Sequence, residues 1–530
     1  MKNKKFLPLV ILVGVVALLG ILLAVLTLCL CTGAMAAGYP IDTQGKDVSL
    51  TVYCANAISN YVTDYNETPF FQEMEKATGI HINFIHPATS GMQEAMNLLF
   101  LGKELPDIIM CGNYYDGGVF QGLEDGYFVD LTDYLPEYAP DYWQLITSGD
   151  EIWRQVSNGD GRVAAFYTIK EPGDTQHRRM LLTQETLDEI GATIPTTLAD
   201  VEDVFAKMLA HGITPYILDK TGYEPQFLGM YDLMKGFYKD AEGNILYGQV
   251  QPAFKDYLTL MHDWYEKGYI SKDFIGSNTK NNQTLFDTGK VGMYFDSCAA
   301  AYNRGVANGK TVVTAPYPRL TEGQQLHWDD YKKPGYSMVS DYRCTGVITT
   351  TCKNIEAAVQ WMNYCYTEAG STLANWGILG ENYDVDANGN KVYNDNMLKN
   401  PTMSATNTSY YYKQHVWAKL RQPDVVCHAE LKTNEGALSI RLRWGDDPLV
   451  DNTLVLPTLS YTSDQLNDKN DIMNDLEIYV NEKVLQFITG DEPLDNFDTF
   501  VENVWGMGLQ DAIDIVAEAY TAYENIHAPQ

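Results

Sequence analysis

The chain has 530 residues, with 37 Lys and Arg against 69 Asp and Glu and a formal charge of −32. So acidic a body repels phosphate backbones, which argues against nucleic acid as a partner, and the length supports two or three packed domains. The 36 Tyr and 9 Trp supply amphipathic rings for cores and for stacking on flat, neutral, hydroxylated ligands.

Met1-Lys2-Asn3-Lys4-Lys5 is followed by an uncharged apolar run of 25 residues, Phe6 to Leu30. A cationic start before an apolar core predicts a secretory signal or a single membrane anchor, with the rest of the chain outside. The run exceeds the roughly 7 to 15 residues of a usual signal core and reaches the roughly 20 that span a bilayer. Ala34-Met35-Ala36 before Ala37 fits an ordinary signal-peptidase site. Leu26-Thr27-Leu28-Cys29 loosely matches a bacterial lipobox, although Leu28 and Leu30 stand where Gly or Ala is usual before Cys29 or Cys31. Residues 1–36 are therefore a signal peptide or a membrane or lipid anchor, with lipidation at Cys29 or Cys31, an uncleaved helix and free secretion all open. Losing Lys2, Lys4 and Lys5 with the leader would take the charge from −32 to −35.

Beyond the leader, "DVSLTVYC" (47–54) alternates as a strand, and "TPFFQEMEKATG" (68–79) has helical spacing with Thr68 as cap, Pro69 in the first turn and Gly79 as stop. "IHINFI" reads as a second strand; "GMQEAMNLLFLGKELPDIIMCG" reads as a helix, a turn and a buried strand from Asp107 to Cys111. Strand, helix, strand, helix, strand is the pattern of an α/β lobe on a mainly parallel sheet, whose ligands sit at the carboxyl ends of strands. "GRVAAFYT" (161–168) is a further short strand, followed by two helices in 183–217 with Thr197 capping the second. "DAEGNILYGQV" predicts a hairpin, "PAFKDYLTLMHDWYEKGYI" a helix ending at Gly268, and "FDTGKVGMYFDSC" a helix end feeding a strand. After a strand and two helices in 345–383, the C-terminal third is largely helical. The nine cysteines, at 29, 31, 54, 111, 298, 344, 352, 365 and 427, show no CxxC pair and no metal spacing, so buried thiols are expected and no metal or cofactor.

"GKELPDIIMCGNYYDGGVFQGLEDGYFVDLTDYLPEY" resembles the strand and ligand-facing loop of extracellular solute-binding proteins of the maltose-binding type. "GNILYGQVQPAFKDYLTLMHDWYEKGYISKDF", "FDTGKVGMYFDS", "KNIEAAVQWMNYCYTEAGSTLANWGILGENY" and the C-terminal helices continue the likeness in the order found in the long Gram-positive lipoprotein branch, across nearly all of 47–525. The resemblance implies an α/β, two-lobed periplasmic-binding-protein-like fold of type II with a helix-rich C-terminal third. It places lobe 1 at 47–166 and 341–400 and lobe 2 at 167–340 and 401–530, with crossings near Phe166 to Thr168 and Val339 to Gly346. The implied role is a monomeric receptor on the outer face of the cytoplasmic membrane. It would capture an oligosaccharide between its lobes, closing on it, and deliver it to an ABC permease; a peptide is the second choice of solute.

On that resemblance Asn113, Tyr114, Tyr115 and Asp116 face the ligand, since tyrosine rings stack on sugar C–H faces and planar polar groups bond paired hydroxyls. Asn56, with Asn60, follows the first strand and is equally fit for turn chemistry. Phe295 and Asp296 stand where relatives place contacts, although Cys298 and three alanines replace a Trp usual there. Tyr167, Trp376 and Glu381 complete the candidates, with core packing the competing role for Trp376. His177, Arg178 and Arg179 form a cationic cluster that reads first as a solvated turn, although it would suit a uronic acid. "DVDANGNKVYND" (384–395) mimics a calcium loop, but Asn388-Gly389 reads instead as a β-hairpin. A secreted glycosidase is the competing class, since paired carboxylates can be imagined among 69 acids, but no GxSxG, HExxH or GxxxxGK[ST] motif is present. A membrane-anchored sensor would have only five residues inside.

Overall fold

The structure is a computed structural model that describes residues 38–529, apart from 103, 170–177, 329–338, 415–442, 444–446 and 458. The leader with Cys29 and Cys31, and also His177 and Cys427, lie outside those residues. Among the described residues no helix is long and apolar enough to cross a membrane.

Local chemistry decides where the helices start and stop. Thr68 accepts the amide of Phe71, Pro69 fills the first turn, and Gly79 ends helix Pro69–Thr78 at a φ of 74° that a side chain would resist. Thr197 and Asp200 form a reciprocal capping box at the start of Leu198–Ala210. Gly268 closes Pro252–Lys267 in the left-handed region, as its place in the sequence predicts.

The described strands are, in chain order, β1 (Ser49–Tyr53), β2 (His81–Ile85), β3 (Ile108–Ile109), β4 (Phe166–Ile169), β5 (Arg178–Thr183) and β6 (Thr214–Tyr216). They continue with β7 (Phe237–Lys239), β8 (Ile245–Tyr247), β9 (Val291–Ser297), β10 (Val312–Ala315), β11 (Val339–Ile348), β12 (Tyr383–Val385) and β13 (Lys391–Tyr393). The chain divides into two compact units. The first takes Met1–Ile146, Arg162–Ile169 and Ser340–Cys427 as far as they are described; the second takes Thr147–Gly161, Lys170–Val339 and His428–Gln530.

The sheet of the first unit has the order β2-β1-β3-β11-β4, with β1 parallel to both β2 and β3 and β11 antiparallel to β3. β3 is shorter than the predicted span of Asp107 to Cys111, and the Asp107 side chain bonds across to Thr51 of β1. Its carboxylate accepts both the amide and the hydroxyl of Thr51 at 2.8 Å, while its own amide donates to the Thr51 hydroxyl at 2.9 Å. Leu50, Val52, Ile108 and Ile109 fill the core beneath, each contributing roughly 1.5–3 kcal/mol.

The second unit is built on β10-β5-β9-β6, where β5 runs antiparallel to both neighbours and β6 runs parallel to β9. Trp264, fully buried, meets Phe205 at 5.1 Å and Phe227 at 4.9 Å. Helix Ser463–Thr489 packs against Pro252–Lys267 through Leu476, Val480, Val484 and Phe487, a spacing that keeps one face turned inward. The predicted hairpin forms as β7 and β8.

Two stretches fall with the other unit from the one the sequence reading assigns. Residues 147–161 join the second unit, because Arg154 donates to the carbonyls of Ile526 and Glu524 and Asp150 accepts the amide of Ala528, all on the C-terminal tail. The described residues of 401–427 join the first unit, where helix Ala405–Tyr412 packs on Pro69–Thr78 and Lys413 donates to the Tyr393 hydroxyl at 2.6 Å.

Candidate functional site

In the first unit the carboxyl ends of β1 and β3 lead into adjacent loops. After β1, Asn56 is buried, and its side chain accepts the amide of Ile58 at 2.9 Å and donates to the carbonyl of Val62 at 3.0 Å. Both ends of this amide close their own loop, the turn chemistry that Asn favours. Asn60 stands exposed at the tip.

After β3, a tight turn at Gly112–Tyr114 is possible because Gly112 lies against Val347, where a Cβ would come within 2.5 Å of a methyl. Asn113 follows, and its Oδ1 is buried with no hydrogen-bond partner among the described residues. Tyr114 accepts Gln93 at its carbonyl, 2.8 Å away, and Asp116 is exposed. Tyr115 turns inward instead. Its ring meets Phe100 at 4.8 Å and Phe128 at 5.4 Å, and its hydroxyl donates to Asp125 at 2.6 Å. Burial and then the Asp125 carboxylate hold that hydroxyl well above the usual tyrosine range.

The other candidates are spread out. Tyr167, on β4, is buried and accepts the Tyr366 hydroxyl at its carbonyl; desolvation raises its own ionisation. Trp376 is 2 % exposed, 4.9 Å from Tyr393 and 5.8 Å from Tyr383, inside the packing of the hairpin β12–β13. Glu381 is exposed nearby, accepting Asn396 at its carbonyl. In that hairpin Asp386 accepts the amides of Asn388 and Asn390, each at 2.8 Å, and Gly389 has a φ of 87°, so the calcium-like spacing serves a turn.

In the second unit Phe295 and Asp296 lie on β9. Arg178, from β5, places its guanidinium 5.0 Å from the Phe295 ring and donates to the Phe295 carbonyl at 3.3 Å. Asp296 is held by Gln283 at 3.0 Å and Arg304 at 3.1 Å, and Arg304 also binds Asp287 at 2.8 Å. Asp296 therefore serves an internal ion-pair network. Arg179 is buried against Tyr317 at 6.0 Å.

The sequence reading passed over a buried polar cluster after β6. Glu224 accepts the amide of Asp219 at 2.7 Å and the Gln226 amide at 2.6 Å, and Gln226 donates to Tyr216 at 2.7 Å. Tyr257 receives the Glu224 amide at 3.1 Å and donates to the Gly222 carbonyl at 2.7 Å. Desolvation pushes the Glu224 carboxyl up to about 7. "TPY" followed by "YEPQ" was the available signal: a carboxylate and an amide just past the end of a buried strand. The side chains of Cys54, Cys111, Cys298, Cys352 and Cys365 are buried, as the apolar runs before Cys111 and Cys298 predict.

A sequence profile for the family described as bacterial extracellular solute-binding protein matches residues 59–372, more than half of the chain. The chain belongs to this family. As a solute-binding protein of the ABC-transporter class it resembles the fructooligosaccharide substrate-binding protein FusA of Streptococcus pneumoniae, 22% identical over 499 residues, which are 87% of this chain and 88% of FusA. It also resembles the polygalacturonan/rhamnogalacturonan-binding protein YtcQ of Bacillus subtilis, 20% identical over 331 residues covering 59% of this chain and 63% of YtcQ. The FusA structure in complex with kestose superimposes with a TM-score of 0.67 at 19% identity, covering 90% of this chain and 99% of FusA. An extracellular solute-binding protein from Bifidobacterium longum subsp. infantis gives 0.72 at 15% identity, covering 90% and 98%. These likenesses make the fold that of the two-lobed solute-binding proteins, with mixed α/β sheets and a helix-rich C-terminal third.

Proposed function

We propose that this solute-binding protein captures an oligosaccharide outside the cell and delivers it unaltered to an ABC permease. The observation that carries the reading is Asn113. At the carboxyl end of a parallel strand, where α/β folds take ligands, its buried Oδ1 has no hydrogen-bond partner among the described residues. A buried acceptor left unpaired costs about 1–3 kcal/mol, and a ligand hydroxyl would supply the missing donor. Tyr114 and the exposed Asp116 share its loop. The functions of FusA and YtcQ favour sugars over peptides, and both are binding proteins, which favours capture over catalysis.

The same reading takes Asn113, Tyr114 and Asp116 in the first unit and Phe295 with Arg178 in the second as ligand contacts. Asn56, Tyr115, Tyr167, Trp376 and Asp296 then act by shaping the walls, since their side chains are packed or bonded within the chain. Among oligosaccharides, the exposed Arg178 beside Phe295 favours one that carries a carboxylate. We assign the tether to lipidation at Cys29 or Cys31, which keeps the receptor at high effective concentration beside its permease.

Calorimetric titration with kestose, nystose and oligogalacturonides tests the reading. The wild-type protein is expected to bind at least one of them, and Asn113→Ala to weaken that binding about tenfold. Unchanged affinity in the variant would remove Asn113 from the site.

A further inference from the structure

The loop that follows β1 leaves the ring of Tyr61 44% exposed. Helix Ala405–Tyr412 runs beside it. Ser404 caps that helix by accepting the Asn407 amide at 3.2 Å, Thr408 and Ser409 are buried, and Lys413 fastens the far end to Tyr393. With these small hydroxyl residues turned inward, Asn407 and the tyrosines 410–412 are left partly exposed. Asn407 donates through Nδ2 to the Tyr61 hydroxyl at 3.2 Å. The ring of Tyr411 stands edge-on to Tyr412, with centroids 5.0 Å apart and planes at 88°. Tyr411 stands four residues after Asn407, one helical turn on, so the two share a face of that helix. β1 runs parallel beside β3, so the loops that follow them leave the same end of the sheet.

Half-exposed rings joined by an amide are what a sugar needs: a flat apolar face for its C–H groups and a planar polar group for its hydroxyls. We propose that Tyr61, Asn407 and Tyr411 form a sugar-ring subsite of the first unit, holding a residue of the oligosaccharide next to the one met by Asn113. The proposal rests on the oligosaccharide reading and deepens it. The helix that supplies Asn407 and Tyr411 lies more than 340 residues from Tyr61, so the subsite exists only in the folded chain.

The test titrates wild type, Tyr61→Ala, Tyr411→Ser and Tyr61→Phe with kestose, nystose and oligogalacturonides of increasing length. Tyr61→Ala and Tyr411→Ser are each expected to weaken the best ligand by about threefold to tenfold, with a larger loss for longer oligomers, as expected for lost ring stacking. Tyr61→Phe keeps the ring but loses the hydroxyl that Asn407 bonds, and its affinity is expected to fall between those of wild type and Tyr61→Ala. Thermal denaturation without ligand checks that the variants fold, and Tyr411→Ser, at a partly exposed position, serves if Tyr61→Ala does not. Wild-type binding with both ring-removing variants unchanged overturns the subsite and leaves the oligosaccharide reading standing. A wild-type protein that binds none of these probes overturns both.

Discussion

Glu224 is buried, and its ionisation carries the consequence. Its carboxyl sits at about 7 against an ordinary 4.5, mainly through desolvation. Between those values the folded protein keeps a proton that the unfolded chain has lost. This group's contribution to stability therefore declines as pH rises through that window and levels off on either side. The buried Oδ-type acceptor beside it, Gln226 Oε1, has no partner among the described residues, so turning the Gln226 amide would give a protonated Glu224 something to donate to. Glu224→Gln removes the titration while keeping the shape. Its melting temperature relative to wild type is expected to rise as pH goes from about 5 to about 8, and a constant difference across that range would show that the carboxyl is already ionised at the lower end. The sequence offers only the weak signal of "YEPQ" after a short strand, since Glu224 is one of 69 acids and its burial depends on Tyr216 and Tyr257. The surroundings of Asp296 were hidden for the same reason. Its position on a strand could be read, but its pairing with Arg304 and Gln283 could not, because those partners come from the helices on either side of β9.

At the scale of elements, local rules carried further. Thr68, Pro69, Gly79, Thr197 and Gly268 set helix ends with groups within four residues of the end, so the sequence alone places them. The hairpin at β12–β13 is likewise set by Asp386 and Gly389. The core role weighed for Trp376 fits its packing on the rings of Tyr383 and Tyr393, whereas the place of helix Ala405–Tyr412 escaped, because it packs on the distant helix Pro69–Thr78. Gly370 is a position where element packing leaves no room. A Cβ there would stand 1.8 Å from the carbonyl oxygen of Tyr364, so Glu368–Trp376 can follow the turn Tyr364–Tyr366 this closely only with glycine. Gly370→Ala is expected to cost roughly 1–3 kcal/mol in denaturant unfolding, despite the better helix propensity of alanine. A stabilised variant would mean that the two elements separate freely.

For the molecule as a whole, the order of segments along the chain carried the identification. Few single positions could have done so at the 22% identity that links this chain to FusA. Two units with mixed sheets, loops at strand carboxyl ends and a strongly acidic body fit a receptor that takes up a polyhydroxylated solute by stacking and hydrogen bonding. Such a receptor must release its guest chemically unchanged, which sets it apart from a glycosidase on the same substrates. Native mass spectrometry of the purified extracytoplasmic body, incubated with the oligosaccharide panel, reads both properties at once. The account predicts a one-to-one complex carrying the full mass of the added sugar, which is recovered intact on dissociation. Shortened sugars in solution, or no complex with any member of the panel, would contradict it.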